Sequence, residues 1–427
     1  MKVFLESVGC RLNQSEIEKI GYQFRQAGWD LTANADEADL IVINTCTVTA
    51  KAAADSRQII RKAHREGNAG IIVTGCWSTI QPCDAAQLSG VVRVVANRDK
   101  EEIVKSWLGL PEILERNLEY GRVPLPGARK RTRAFIKVQD GCDQSCTYCI
   151  TRVARGKSRS LSLQKIMQDV QSATTGGTKE IVLSGVQLGS WGRDFSPPLV
   201  LKDLISTILN DSDIDRIRLS SVEPWDIEED LIMLWANPRL CRSLHIPLQS
   251  GAESVLKRMA RRFPPQQYAD KINMIRAYSP EIALSTDVIS GFPGETKGEF
   301  RESIEFIKRI SFSGGHAFTF SSRPGTPAAI MDNQIPENIK RQRNSFFRAM
   351  FNESSKVYRE KFISKSTVVL WEKAEAIGEN EFRLGGLSDN FIRVTATSDK
   401  DITNTISIVR LTGLLSYGMT GIIEKSI

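Results

Sequence analysis

Three cysteines spaced as C-x-x-x-C-x-x-C are the feature of the sequence most able to do chemistry. They are Cys142, Cys146 and Cys149, and they directly follow the run AFIKVQ, which is predicted to be a strand. Three closely spaced thiolates can bind three irons of a [4Fe-4S] cluster and leave the fourth iron open to a small molecule. Zinc is the alternative, but a structural zinc site takes four ligands, often including histidine. The three histidines of the chain are remote from this loop in sequence, so we expect an iron-sulfur cluster.

A second group of three cysteines is spread over the first 80 residues. Cys10, Cys46 and Cys76 each lie at or just beyond the carboxyl end of a predicted strand, namely KVFLESVG, DLIVINT and GIIVTG. Ligands of open parallel sheets gather at the carboxyl edge, so these three cysteines can converge on one point. Cys83 and Cys241 belong to neither group and are interpreted as small buried hydrophobic residues. Cys83, in a presumed loop, is the less favoured alternative to Cys76 as a ligand.

The elements that position these cysteines fall into three series. Strand and helix patterns alternate up to about residue 110, which predicts an N-terminal doubly wound parallel sheet in an α/β fold. Six further strand-helix units favour a partial (β/α)6 barrel, since eight units would need more chain. A charged helical stretch then precedes short runs separated by Gly, Asn and Asp, which are typical of a small all-β barrel. The expected division is 1–112 for the N-terminal domain, 113–133 for a linker, 134–335 for the central barrel, 336–363 for a helical connector and 364–427 for the C-terminal barrel.

Composition limits the partners and the cellular compartment. The 427 residues carry a net charge of +7, with basic clusters at 129–133, 257–262 and 340–343, which would attract a polyanion such as RNA. Solvated helix faces are the alternative explanation for these clusters. No run approaches the roughly 18 apolar residues of a membrane span, and Lys2 and Glu6 interrupt any signal peptide, so we expect a cytoplasmic protein without membrane contact. Because cytosolic disulfides are rare, the cysteines are candidate metal ligands.

The cysteine loop after the first strand of a partial barrel resembles that of the radical S-adenosylmethionine superfamily. The resemblance implies that the open iron binds the amino and carboxylate groups of S-adenosylmethionine, which is then cleaved to a 5'-deoxyadenosyl radical. It also implies that Tyr148 lies near the adenine. The segment GGTKE, with Gly177 and Glu180, corresponds to the superfamily's glycine-rich strand end that meets the methionine amino group, although it departs from the usual GGE form.

Four further polar residues are candidates for binding the cofactor. Ser221 and Glu223 lie at the end of the third predicted barrel strand, and His245 and Gln249 lie around the fourth. All four are expected to face the mouth of the barrel, and a purely structural role is the alternative for each.

Blocks over almost the whole chain are similar to those of the radical methylthiotransferases. These blocks include VGCRLNQSE, INTCTVT, VTGC, CTYCITRVARGKSRS, LSGVQLGSWG, LHIPLQSG and STDVISGFPGET. The resemblance implies a second [4Fe-4S] cluster on Cys10, Cys46 and Cys76, whose open iron holds a sulfur nucleophile. The C-terminal segment, with LSDNFIRV, resembles a TRAM domain, a small module associated with RNA binding; a packing domain without a ligand is the alternative.

Within that family, INTCTVTAKAAADSRQIIRKAHR most resembles the branch that modifies N6-threonylcarbamoyladenosine in tRNA. The implied reaction inserts a methylthio group at C2 of that base at position 37, giving the 2-methylthio derivative. The alternatives are isopentenyladenosine in tRNA, an aspartate of a ribosomal protein, and, outside enzymes, an iron-sulfur protein that only binds RNA. The expected partners are tRNA and an electron donor of the flavodoxin or ferredoxin type, and the chain is expected to be a monomer.

Two cysteine triplets predict about eight irons and eight labile sulfides per reconstituted chain, because each triplet can carry one four-iron cluster. Replacing Cys142, Cys146 and Cys149 together by Ala should halve the iron. Colorimetric iron and sulfide determinations on the anaerobically reconstituted protein measure both values. A wild-type protein saturating near four irons would contradict the second cluster.

Overall fold

The computed structural model describes residues 1–109, 132–261 and 263–427. The predicted linker, 113–133, therefore lies outside the described residues except for its last two positions, as do positions 129–131 and 262 of the basic clusters. Within the described ranges, no helix is long and apolar enough to cross a membrane.

The N-terminal region is a five-stranded parallel sheet with the strand order β2-β1-β3-β4-β5. The strands are β1 (Lys2–Ser7), β2 (Asp30–Thr32), β3 (Leu40–Thr45), β4 (Gly70–Gly75) and β5 (Val91–Val95). The helices are α1 (Arg11–Gln26), α2 (Ala50–Glu66), α3 (Cys76–Ile80), α4 (Pro82–Ala86) and α5 (Ile103–Leu108). Strand β3 is buried on both faces because Leu40 packs on the side of α1 and Ile41 on the side of α2.

Six of the eight strands in the central region are parallel and follow one another around the barrel in chain order, whereas the short strands Gln139–Asp140 and Arg159–Ser160 form a separate pair. The strands between residues 133 and 319 are β6 (Arg133–Lys137), β7 (Gln139–Asp140), β8 (Arg159–Ser160), β9 (Glu180–Ser184), β10 (Arg216–Leu219), β11 (Ser243–His245), β12 (Ala283–Ser290) and β13 (Gly314–Thr319). Strands β6, β9 and β10 pair in one sheet and β11, β12 and β13 in another, and bridges at Ile217 and Ser221 join the two. The predicted partial (β/α)6 barrel is thereby confirmed.

Helices cover the outside of this barrel, where the apolar side chains of alternate strand residues form the largest core of the chain. They are α6 (Thr151–Arg155), α7 (Leu163–Thr175), α8 (Leu201–Asp211), α9 (Glu229–Ile232), α10 (Glu253–Arg258), α11 (Pro265–Tyr278), α12 (Lys297–Ile310) and α13 (Glu337–Glu360). The other strand residues face inward, and many of them are polar. The alternation of strand side chains thus separates an apolar outer core from a polar interior.

The C-terminal region is a closed barrel of five strands, as predicted. The strands are β14 (Ser366–Gly378), β15 (Glu381–Ser388), β16 (Arg393–Ser398), β17 (Ile406–Leu415) and β18 (Gly418–Ser426). Trp371 fills its core and donates a hydrogen bond from Nε1 to Ser407 Oγ at 3.0 Å.

The turn between β15 and β16 closes the amino end of the central barrel. Arg218, inside that barrel, donates to the carbonyl oxygens of Ser388 and Asp389, both at 3.0 Å. Arg242 forms an ion pair with the Asp389 carboxylate at 2.6 Å. The C-terminal barrel is therefore anchored by buried charges of the central barrel.

A buried charge network joins the N-terminal sheet to the central barrel. Glu16 on α1 accepts from Lys100 Nζ at 2.6 Å, from Lys137 Nζ at 3.0 Å and from Arg155 Nη1 at 2.9 Å. Asp140 accepts from Lys137 and Arg155 at 2.7 and 2.9 Å. Burial alone would raise the pKa of Glu16, but Lys100 and Arg155 outweigh burial and hold that pKa well below its usual range. The paired charges therefore fix the two regions against each other.

Glu16→Gln should destabilise the fold by about 3–5 kcal/mol, because it leaves three buried cations without their shared carboxylate. The stabilisation that Glu16 gives the wild-type protein is fully present above the pKa of an unfolded glutamate, about 4.3. It is lost as the pH falls through the lower pKa that Glu16 has in the folded protein. Urea denaturation followed by fluorescence measures the difference. The matched control is Glu66→Gln, which breaks only the exposed pair with Lys62 and should cost less than about 0.5 kcal/mol. Equal effects of the two substitutions would contradict a stabilising network.

Candidate active site

The structure brings Cys10, Cys46 and Cys76 to one wall of a cavity. Cys10 directly precedes α1, Cys46 follows β3, and Cys76 begins α3 after β4, so all three lie at the carboxyl edge of the sheet. Gly9 has a φ of +107°, and a Cβ there would lie only 2.7 Å from the Cys46 Sγ. The segment bearing Cys10 therefore packs directly on Cys46, which requires glycine at position 9.

The electrostatics of these thiols suit ligands of a cationic iron-sulfur core. Burial raises the pKa of Cys46 to about 11. Cys10 is exposed into the cavity rather than to open solvent, and its pKa is also raised by burial, although the guanidinium of Arg155 opposes the rise. Without a metal such thiols stay protonated, whereas a bound metal ion displaces the protons and stabilises the thiolates.

Among the described residues, no three cysteine, histidine, aspartate or glutamate side chains are spaced to hold a single metal ion. The fit of a [4Fe-4S] cluster rests instead on the donors themselves. Each triplet supplies three free thiols, and the members of each triplet interact electrostatically with one another. Thiolates are the ligands that such clusters take.

Backbone contacts fix the second cysteine loop at the carboxyl end of the barrel. Gly141 has a φ of +71°, and a Cβ there would overlap the carbonyl oxygen of Lys157. Within the loop 142–149, Thr147 donates from its backbone N–H to the Met259 carbonyl at 3.0 Å. The loop is thus held from both sides, which orients three thiols before a cluster binds.

Gln187 is a polar neighbour of this loop that the sequence did not single out. The Cys142 Sγ lies 3.3 Å from its Oε1. Its Nε2 is buried near the carboxylate of Asp226. Burial raises the pKa of Cys142 to about 11. The only signal of Gln187 in the sequence is its position in the block LSGVQLGSWG.

Tyr148 is part of the second loop, and Glu223 lies beside it together with Arg261, which sequence reasoning missed. Arg261 forms a buried ion pair with Glu223 at 2.7 Å and lies over the ring of Trp225, 5.1 Å from its centroid. Burial raises the pKa of Cys146, and Arg261 opposes that rise. Tyr148 packs against a core that includes Phe292 and Phe320. Arg261 is 38 residues from Glu223 in sequence, so no local pattern links them.

Ser221 and His245 line the cavity of the first triplet. His245 Nδ1 lies 3.0 Å from Ser285 Oγ, and its Nε2 lies 3.2 Å from Asp287 Oδ2. Gln249, in contrast, follows the barrel strand with a φ of +73° and donates from its backbone to Asp287 at 2.8 Å. Gln249 is not among the residues that line this cavity.

Gly177 and Glu180 do not lie at the strand end expected for them. Strand β9 begins at Glu180, so Gly177 is in an exposed turn before the strand, and its carbonyl accepts from Asn404 of the C-terminal barrel. Glu180 is buried in ion pairs with Arg216 and Arg218 at 2.9 and 2.8 Å. The prediction about the strand end is wrong because the strand leads away from these residues, and its carboxyl end is Ser184.

The two remaining cysteines differ in burial. Cys241 is buried, as predicted, with its Sγ 3.7 Å from a Glu180 oxygen. Cys83 is exposed and lies in α4 rather than in a loop, so the prediction of a buried residue is wrong for Cys83.

The cavity has a volume of about 780 Å³ and lies between all three regions. The first cysteine triplet lies on the N-terminal wall, and inward-facing polar residues of the central barrel form the interior. Phe391, Arg393 and Tyr417 contribute the C-terminal wall, with Phe391 46% and Tyr417 82% exposed. This volume is large enough for a nucleoside, and the aromatic rim can stack on bases.

Comparison with known proteins identifies two families in the chain. Residues 2–97 match Uncharacterized protein family UPF0004, and residues 136–307 match the Radical SAM superfamily. The second match covers the central barrel and its cysteine loop.

Curated relatives match nearly the whole chain. The threonylcarbamoyladenosine tRNA methylthiotransferase MtaB of Bacillus subtilis (strain 168) is 35% identical over 96% of this chain and 93% of its own. The MtaB protein of Thermotoga maritima is 36% identical over 87% and 86%. A tRNA-2-methylthio-N(6)-dimethylallyladenosine synthase of Clostridium tetani is 29% identical over 98% and 95%.

Among solved structures, the radical S-adenosylmethionine methyltransferase TsrM of Kitasatospora setae has a similar fold. Its TM-score is 0.57 at 14% identity, and the similarity covers 77% of each chain. At this identity the likeness concerns the fold alone. The matches at 33–36% identity carry more weight, since they extend over most of both chains, and they show that this chain belongs to the family of threonylcarbamoyladenosine tRNA methylthiotransferases.

Proposed function

We propose that this chain is a radical S-adenosylmethionine enzyme that inserts a methylthio group at C2 of N6-threonylcarbamoyladenosine at position 37 of tRNA. The observation that carries the proposal is that Cys10, Cys46 and Cys76 open into the polar interior of the central barrel. A purely structural cluster would not need to line a cavity large enough for a nucleoside. The MtaB relatives, which are 35% and 36% identical to this chain, support the same substrate.

Each cysteine triplet would hold one [4Fe-4S] cluster with an open iron. When bound, the clusters and S-adenosylmethionine supply the methylated sulfur and the hydrogen-abstracting radical. The chain contributes the positions of the thiols, the polar wall formed by Ser221 and His245, and the exclusion of bulk water from the barrel. Tyr148, Glu223 and Gln249 remain proposed contacts of S-adenosylmethionine.

The open iron at the second loop needs an external electron, so a donor of the flavodoxin or ferredoxin type is part of the proposal. A monomer in the cytoplasm is the expected state of the protein. The C-terminal barrel would recognise RNA, because its exposed aromatic residues and Arg393 face the cavity. Because the anticodon loop is single-stranded, the base can be extruded toward the barrel at a cost of about a few kcal/mol.

The same assay also tests the two alternative substrates, isopentenyladenosine in tRNA and a ribosomal protein. Relatives named as dimethylallyladenosine synthases match this chain at 29% identity, below the MtaB relatives. The aromatic rim of the cavity can stack on bases, which a ribosomal protein substrate does not have, so the rim favours an RNA substrate. Mass spectrometry of tRNA nucleosides from a deletion strain separates the two adenosines, and an unchanged nucleoside profile would redirect the search to protein or to RNA binding without catalysis.

Changing Cys10, Cys46 and Cys76 together to Ala should abolish the 2-methylthio product but preserve formation of 5'-deoxyadenosine. The reason is that these thiols serve only the sulfur-carrying site, while the second loop is intact. Chromatography of both products from one anaerobic reaction measures the two activities. The matched control changes Cys142, Cys146 and Cys149, which should abolish both products. Continued methylthio transfer by the first variant would remove these cysteines from the chemistry.

Tyr417→Ala should weaken the binding of substrate tRNA by roughly 5- to 150-fold, because stacking contributes about 1–3 kcal/mol per base. Point substitution is preferable to deletion of the C-terminal barrel, since deletion would leave Arg216 and Arg218 without the carbonyl groups that accept their hydrogen bonds. Filter binding at fixed salt measures the affinity. Tyr278→Ala, which removes an exposed tyrosine that is not among the residues lining the cavity, is the control and should leave the affinity unchanged. An unchanged affinity in Tyr417→Ala would exclude that ring from the RNA surface.

A further inference from the structure

The cavity wall carries far more positive than negative charge. Its arginines are Arg11, Arg155, Arg218, Arg359 and Arg393. Among the described residues that line it, Asp287 is the one carboxylate, and Asp287 is already paired with His245 at 3.2 Å. An anionic group of a ligand would offset this excess charge.

Four of these arginines already have partners. Arg155 binds Glu16, Arg218 binds Glu180, and both do so with short ion pairs. Arg359 donates to the carbonyl oxygens of Leu415 and Gly418, and Arg393 lies 3.5 Å from the Glu372 carboxylate. Arg155, Arg218 and Arg359 are therefore committed to holding the fold together, whereas the side chain of Arg393 is 66% exposed beside its carboxylate partner.

Arg11 differs from the other four. Within the part of the chain that the structure describes, no hydrogen-bond acceptor or ion-pair partner contacts its guanidinium. Its closest charged neighbours include the like-charged Arg133 and Arg218, and Glu180, which attracts it, is already bound by Arg216 and Arg218. A partly buried cation among other cations is costly unless an anion from outside completes the site.

We propose that Arg11 binds the carboxylate of the threonylcarbamoyl group and is the residue by which this enzyme selects its modified adenosine. The proposal rests on the proposed function. Arg11 directly follows Cys10, so a substituent held by Arg11 lies beside the site that delivers sulfur. The guanidinium fork matches a carboxylate with two parallel hydrogen bonds. An isopentenyl group has no anion and would leave Arg11 unpaired, which a site built for polar atoms disfavours.

The test compares three anticodon stem-loop RNAs that differ only at position 37. The base is N6-threonylcarbamoyladenosine, the methyl ester of that nucleoside, or unmodified adenosine. Fluorescence anisotropy with the full chain, both clusters reconstituted, gives each dissociation constant. We expect the acid to bind roughly 10- to 100-fold more tightly than the ester, because only the acid offers a charged acceptor. Equal affinity for acid and ester would overturn the proposal without any variant, so the test survives a variant that fails to fold.

Arg11→Gln should remove the preference for the acid over the ester, and Arg11→Lys should restore most of it. Thermal melting and the iron content of the variants show whether folding and cluster loading are intact. Full retention of the preference in Arg11→Gln would overturn the proposal.

The matched control is Arg61→Gln, which removes a charge from an exposed face of α2 in the same domain. This control should weaken all three RNAs equally, since an exposed arginine can attract only the phosphate backbone. If Arg11→Gln also weakened all three equally, Arg11 would bind phosphate and the proposal would fail.

Methylthio transfer to the acid RNA by the wild-type enzyme is measured in parallel by mass spectrometry. No product from the wild type would refute the proposed function itself. Product from the wild type, together with equal binding of acid and ester, would refute the assignment of Arg11 alone.

Discussion

The buried ion pairs of Glu16 hold the sheet and the barrel in one arrangement, and the active site depends on that arrangement. Glu16 comes from α1, which begins one residue after Cys10, whereas Arg155 follows the second cysteine loop. A direct contact between them therefore sets the distance between the two cysteine triplets. Breaking one partner of such a buried pair leaves an uncompensated charge, so the arrangement is rigid as well as specific.

The same network also affects the chemistry of the first triplet. Lys100, Lys137 and Arg155 carry one more positive charge than Glu16 and Asp140 can balance. Cys76 is close enough to interact electrostatically with Arg155, which also opposes the rise in the pKa of Cys10. The excess charge therefore favours thiolates in the first triplet, at the place where the two regions meet. Structural anchoring and the stabilisation of these thiolates are two effects of one set of charges.

The C-terminal barrel has a comparable double role. Its turn at Ser388 and Asp389 closes the amino end of the central barrel, while Phe391 and Tyr417 reach the cavity. A module attached by a free linker would leave the barrel interior open to water. Here the C-terminal barrel completes the cavity, so its anchoring to the central barrel and the enclosure of the cavity are parts of the same contact.

The sequence by itself determined the three series of elements, both cysteine triplets and the family resemblance, because strand alternation, loop spacing and strand ends are local properties of the chain. Only the tertiary structure decided which charged groups surround the triplets. Arg155 lies 139 residues from Glu16, and Arg261 lies 38 residues from Glu223, so no periodicity predicts either pair. The segment that contains Gly177 shows the same limit. Its glycines matched a motif of the superfamily, but the direction of β9 places them at the opposite end of the barrel. Spacing identifies groups that are able to bind, whereas the packing of distant segments decides which groups meet and which, such as Arg11, are left without a partner.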